Sequence, residues 1–319
     1  MGPVAASLKL KTLNDSPYIM KSPVLFIIFK RFDTALQVFE RIREARPPRL
    51  YVAADAPRPG VDGEVEDCQK TRDIIKLVDW PCEVKTLFQS VNQGCGYGPY
   101  KAISWFFENE EQGIVLEDDC VAHPDFFKYM DEMLDRYRED ERISLLTGRN
   151  VTERTEVRDG SYFLSGLHFC WGWASWRRTW AYYDYKLTNV RFWRYARNLY
   201  RLFGFRPLLI MWRLSIFMKC KLNPDIDAWD YQFAISTQMR GTYTIVPCVN
   251  LVHNVGFDGR ATHTASDNYE DVPAHPIMPI THPSELKYNS TYDANRCRVS
   301  NRIRFIVGFA KTAIKYMMS

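Results

Sequence analysis

Gly113-Ile114-Val115-Leu116-Glu117-Asp118-Asp119 is a short apolar run that opens on a glycine and closes on three consecutive carboxylates. An apolar run bounded by a turn residue reads as a fully buried strand, and in an open α/β sheet ligands bind at the carboxyl ends of the strands. Adjacent acids repel one another, so a hard divalent cation at this strand end would relieve the repulsion. Side chains alternate along a strand, which predicts Glu117 and Asp119 on one side and Asp118 on the other. A helix N-cap is the plainer use for an acid here, but a cap needs one carboxylate and this stretch has three.

Outward from this stretch, residues 24–29, 50–54 and 114–116 form short apolar runs separated by longer helical stretches, with 84–88 a weaker strand signal and 143–146 a candidate fifth. That alternation predicts β-α-β-α-β-α-β-α-β, an α/β fold with a mostly parallel sheet flanked by helices. Asp33 reads as the N-cap of the first helix, whose apolar Ala35, Leu36, Phe39 and Ile42 keep helical spacing until Pro47-Pro48 ends it. A second helix is expected from about Gly98, and a third after His123-Pro124. Beyond residue 150 the pattern is less regular, as expected of a substrate-facing region built on a scaffold.

Composition narrows the class. A chain of 319 residues with 46% hydrophobic content can bury a sizeable core, and a net charge of +4 does not by itself point to nucleic acid. The 8 cysteines show no Cys-x-x-Cys pair, which fits reduced thiols, and the 24–29 run is too short to span a membrane, so a cytoplasmic protein is expected. Residues 191–222 carry eight basic side chains and no acid among aromatics, and residues 301–318 repeat the character with Arg302, Arg304, Lys311 and Lys315. Helices of this kind either lie on an anionic membrane surface, here its inner face, or pack against the domain; both fates are open.

Further features carry chemistry. Arg31 follows the first strand and Asp55 the second, where a parallel sheet presents side chains to a ligand. Asn92-Gln93-Gly94-Cys95-Gly96-Tyr97-Gly98 reads as a glycine loop leading into a helix, either a ligand contact or a plain turn. In Phe169-Cys170-Trp171-Gly172-Trp173-Ala174-Ser175-Trp176 the tryptophans could floor a sugar site or fill a core. Asp227-Ala228-Trp229-Asp230-Tyr231-Gln232 sets carboxylates beside aromatics that could desolvate a general base, and residues 250–263 add a polar loop with Asn254, Asp258, Arg260 and His263.

The order of these motifs resembles a GT-A glycosyltransferase, of the bacterial nucleotide-diphospho-sugar transferases distantly similar to N-acetylglucosaminyltransferase I. The resemblance spans roughly residues 23–264 and is most specific in the acidic strand with His123-Pro124-Asp125-Phe126-Phe127, in Trp171-Gly172-Trp173, in Trp229-Asp230-Tyr231-Gln232 and in Asn250-Leu251-Val252-His253-Asn254-Val255-Gly256-Phe257. It implies a Rossmann-like GT-A sheet and a metal-dependent, inverting transfer of sugar from a nucleotide-diphospho-sugar, UDP-linked by preference, to a hydroxyl of a glycan or lipid-linked acceptor. By that resemblance Asp119 holds a divalent ion, manganese before magnesium, with His263 as a second metal or phosphate contact. Asp118 contacts the donor sugar, Glu117 the ribose side, Arg31 and Asp55 the nucleotide, and Trp171 and Gly172 line the donor cleft. Asp230 matches the catalytic base, although Asp227 three residues earlier would take its role under a register error. The implied organisation is an extension at 1–22, a nucleotide-sugar half at 23–150, an acceptor and catalytic half of the same domain at 151–265 that includes the basic segment 191–222, and a tail at 266–319 with a basic amphipathic helix. The rival readings are a sugar nucleotidyltransferase, which should carry glycines after its first strand where Phe29-Lys30-Arg31-Phe32-Asp33 has none, and a catalytically silent, membrane-peripheral carbohydrate-binding protein. No nucleic-acid partner is expected.

Overall fold

A computed structural model describes residues 18–223, 226–256, 272–297 and 302–319. The first half runs β1 (Val24–Ile28), α1 (Phe32–Ala45), β2 (Arg49–Ala54), α2 (Glu64–Arg72), β3 (Glu83–Phe88), α3 (Gly94–Asn109), β4 (Gln112–Glu117), β5 (Cys120–Ala122), α4 (Asp125–Arg136) and β6 (Ile143–Thr147). The second half adds β7 (Tyr162–Ser165), β8 (Trp173–Trp176), α5 (Arg177–Trp180), α6 (Phe192–Phe203), α7 (Pro207–Leu222), α8 (Asp230–Arg240), β9 (Tyr243–Pro247), β10 (Val252–Asn254), α9 (Ser290–Arg296) and α10 (Arg302–Met317).

Among the described residues eight strands form one sheet in the order β3-β2-β1-β4-β8-β6-β9-β7, and β10 pairs separately with β5. Six of the eight run in one direction, and β7 and β8 oppose them. The fold is therefore α/β and Rossmann-like, and both halves of the chain contribute strands to its sheet. The alternation of β1 shows why: Val24, Phe26 and Ile28 enter a core shared with α1 and α4, while Leu25 enters one shared with α3 and α8. A strand buried on both faces must be apolar throughout, and each such side chain contributes about 1.5–3 kcal/mol through burial. The same logic explains β8, where Trp173 faces the α3 side and Ala174 and Trp176 the other.

Helix α1 starts before the expected Asp33 cap, because the Arg31 carbonyl already accepts the Ala35 N–H at 2.9 Å. It stops at Arg46, which turns left-handed at φ 51° ahead of two prolines that cannot continue a helix. The chain winds from β1 outward through β2 to β3, then returns to place β4 on the other side of β1. That reversal leaves a crevice outside the carboxyl ends of β1 and β4.

On α9, Asp293 is fully buried and accepts from Ser165 Oγ at 2.5 Å and from the Gly166 N–H at 2.8 Å. Burial pushes its carboxyl from the ordinary 3.8 up to about 6. A carboxyl that binds its proton more tightly when folded contributes stability below the unfolded value, lost as pH rises through the folded one. The melting temperature of Asp293→Asn relative to wild type should therefore climb between pH 3.8 and about 6 and level off above. A pH-independent difference would remove Asp293 as the cause.

Candidate functional site

The connection from β1 to α1 is Phe29-Lys30-Arg31, and it delivers Arg31 to the crevice opposite the end of β4. Pairing of β4 with β1 ends at Ile27↔Glu117, after which Asp118 and Asp119 form a turn. The alternation expected of a strand stops there. Asp118, expected on the opposite side from Asp119, instead joins it: Asp118 Oδ1 at 2.5 Å and Asp119 Oδ2 at 2.8 Å converge on a single nitrogen, Arg31 Nη2. The pair that shares a cation is Asp118 and Asp119, and in the described structure that cation is the guanidinium.

The cluster is electrostatically loaded. Burial, followed by the charges of Asp119, Asp118 and Asp230, pushes the Glu117 carboxyl well above the usual range. Burial likewise raises Asp118, against the pull of Arg31, to about 6. Such a site favours either a proton or an added cation. The donor set suits a hard ion: carboxylate oxygens already converge on one point, and Mg²⁺ or Mn²⁺ bound by one or two carboxylates completes its shell with water and phosphate. Among the described residues no three of His, Cys, Asp and Glu form a ready-made cage, and His263 lies outside the described residues.

Three consecutive residues from the second half of the chain, Asn254, Val255 and Gly256, press on Asp119. β10 pairs with β5 so that Asn254 stands opposite Cys120, and Asn254 Nδ2 donates to Asp119 Oδ1 at 3.3 Å. The Val255 N–H donates to the Asp119 carbonyl at 2.9 Å, and a Cβ at Gly256 would collide with Asp119 Oδ2. Asn254 falls within the polar loop that the sequence singles out, but only the β5–β10 pairing shows its use. Lys30 and Arg58 form a basic rim near the ends of β1 and β2, both donating to the buried Glu64, at 2.6 Å from Lys30 and 2.5 Å from Arg58. The sequence reading missed both.

Asp55 ends β2 and spends its carboxylate on backbone N–H groups of Ala56, Gln93 and Gly94 at 2.8–3.0 Å. Asp227 accepts from the N–H groups of Cys95 at 3.2 Å and Gly96 at 2.5 Å. Together these acids satisfy donors at the start of α3, so the stretch expected as a glycine loop before Gly98 is already helical from Gly94. Gly94 has φ +77° and a Cβ at Gly96 would lie 2.7 Å from the Ala228 nitrogen, so glycine is demanded by this packing. Asp227→Ala should lower the melting temperature by about 2–4 °C, the loss of one cap, without changing nucleotide binding. A loss of binding with unchanged melting would return Asp227 to the site.

Asp230 opens α8 next to Trp229, which stacks on Trp173 at 5.7 Å. Its charge acts on Glu117 as well as on Cys170 and Tyr183, which places it in the neighbourhood of the acidic cluster. Trp173 and Trp176 are core residues and not a floor for a ligand. Trp171, two residues before β8, is half-buried against the core and has the Arg149 guanidinium 5.0 Å over its ring. Gly172 has φ +60°, and a Cβ there would lie 2.6 Å from Val252 Cγ2.

No family model matches the sequence, and no curated protein matches it. Among solved structures, UDP-glucose pyrophosphorylase complexed with UDP-glucose is similar over 73% of this chain and 93% of its own, at 11% identity and a TM-score of 0.40. An inositol-1-phosphate CTP transferase from T. maritima is similar over 72% and 86%, at 9% identity and a TM-score of 0.35. HddC from Yersinia pseudotuberculosis follows over 50% and 78%, at 11% identity and 0.31. At such scores they add nothing to what the strand order says, and the site's chemistry rests on this chain's own residues.

Proposed function

We propose that the protein is a transferase acting on a nucleotide-activated sugar, and that its reaction is glycosyl transfer of the GT-A type. The observation that carries this reading is the convergence of Asp118 and Asp119 on one point at the β1–β4 crevice, with Glu117 next to them in the chain and Asp230 near enough for its charge to act on Glu117. A diphosphate is dianionic or more, and a carboxylate pair can hold it only through a cation. Asp118 and Asp119 would hold that divalent ion, manganese being the first to test, and the ion would neutralise charge on the departing diphosphate. Arg31, released from the carboxylates, and the rim cations Lys30 and Arg58 would contact phosphate oxygens. Asp230 would accept the proton of the acceptor hydroxyl as its oxygen bonds to the anomeric carbon and the bond from that carbon to the diphosphate breaks, leaving nucleoside diphosphate and an inverted glycoside. Trp171, half-buried beneath Arg149, would supply an aromatic ring of the kind that stacks on sugars, which suits a glycan or lipid-linked acceptor.

Nucleotidyl transfer, the activity named for the solved neighbours above, is the second reading. It needs a cradle of backbone N–H groups for a triphosphate, usually glycine-rich. Here only Phe29, Lys30 and Arg31 separate β1 from α1, none is glycine, and Arg31 is turned to the acids. The deciding experiment incubates the protein with UDP-sugars and Mn²⁺, with and without pyrophosphate. Release of UDP that rises with oligosaccharide acceptors supports glycosyl transfer. Formation of UTP that requires pyrophosphate supports the second reading and overturns the first.

A further inference from the structure

We propose that the face built from α6, the α6–α7 turn and α10 docks on an anionic lipid bilayer. Helices α6, α7 and α10 carry ten basic residues and no acidic one, and of the ten only Arg213 is buried. The whole chain carries +4, so everything outside these three helices sums to −6. Charge is thus segregated onto one part of the fold, where a mild net value conceals it.

The geometry of α10 adds an apolar component. Ile303, Val307, Ala310, Ile314 and Met317 recur at steps of four, three, four and three residues and are all exposed, Ile303 at 78% and Met317 at 73%. Phe309, Ala313 and Tyr316 pack onto the α6–α7 cluster from the other side of the helix. At 3.6 residues per turn Arg304, Lys311 and Lys315 fall on one flank of the exposed stripe and Arg302 on the other. An exposed apolar stripe between basic flanks suits a helix lying in a membrane interface. Trp193 at 80% and Phe205 at 84% exposure add large apolar side chains near the two ends of α10. Phe192, next to Trp193, meets the Tyr316 ring at 5.8 Å near one end of α10, and Phe205 lines a cavity with Arg302 at the other end. Among the described residues no helix is long and apolar enough to cross a membrane, so the surface would lie on the bilayer.

The bilayer is the occupant that answers both components. A second copy of the chain in a two-fold interface would set this positive face against itself. A nucleic-acid backbone would match the charge and leave the Ile and Met stripe in water. An anionic bilayer supplies phosphates for the flanks and an acyl boundary for the stripe. The proposal stands apart from the catalytic reading and is tested without nucleotide.

The test is co-sedimentation of the full chain with phosphatidylglycerol and with phosphatidylcholine vesicles, in low and high salt. Binding is expected with phosphatidylglycerol only and should weaken with salt. The triple variant Arg304→Glu, Lys311→Glu, Lys315→Glu should partition on the order of a hundredfold less, at about one kcal/mol per basic residue, with an unchanged melting curve. Ile303→Ser with Ile314→Ser should reduce partition while leaving the salt dependence intact. The idea is overturned by wild-type protein that stays in the supernatant at low salt, or by a triple variant that binds as well as wild type. A dimer in light scattering that the triple variant dissolves, or binding to an oligonucleotide and not to vesicles, would overturn it equally.

Discussion

Asp230→Asn is expected to slow sugar transfer by on the order of 10²–10⁴, the usual contribution of a positioned general base. Asparagine keeps the shape of the side chain and can sit in the first turn of α8, so Trp229 and Phe233 should hold the helix as before. The amide cannot take a proton, and the substitution also removes a negative charge that bears on Glu117, which is why nucleotide binding is measured beside the rate. The readout is the initial rate of UDP release from a UDP-sugar in the presence of an oligosaccharide acceptor, alongside a thermal shift with UDP and Mn²⁺. Slow transfer with undiminished nucleotide binding assigns Asp230 to the acceptor side of the reaction. An unchanged rate would sink the base assignment, and equal loss of rate and binding would move Asp230 into the nucleotide site.

Much of the first half of the fold was legible because its central strands are buried on both faces and read as apolar runs bounded by turn residues, whereas the edge strand β3 has no buried residue and gave a weaker signal. Val24 to Ile28 and Arg49 to Ala54 are of this kind. Strand β8 was not, since Trp173-Ala174-Ser175-Trp176 mixes large and small residues and finds its place only between β4 and β6. The acidic stretch was legible as a site but not in its geometry. Whether Asp118 continues a strand or begins a turn depends on where β1 stops offering partners, and that lies outside the stretch itself. The start of α3 was hidden for a similar reason. Its glycines signal a loop until Asp227, more than a hundred residues away, supplies the acceptor that makes a helix there stable. Asn254 and Gly256 act on Asp119 only through the β5–β10 ribbon, a pairing of short strands with no sequence signal of its own.

Asp119→Ala should remove the manganese-dependent part of nucleotide binding. In the described structure Arg31 Nη2 stands where the two carboxylates converge, so the guanidinium serves as their counter-ion. A divalent ion entering this point must displace Arg31. Displacement is most favourable when a diphosphate arrives to receive both the ion and the arginine. Wild-type protein should therefore melt about 5 °C higher with UDP and Mn²⁺ together at roughly a hundred times the dissociation constant, and rise much less with either alone. Asp119→Ala leaves Asp118 as a single carboxylate still paired with Arg31, a site too weak to strip water from the ion. Arg31→Ala makes the opposite change, leaving two acids without their counter-ion, and should bind Mn²⁺ in the absence of nucleotide when titrated calorimetrically. If Asp119→Ala keeps the joint rise, or if Arg31→Ala binds Mn²⁺ no better than wild type, the Arg31 bridge is a structural ion pair and the metal belongs elsewhere.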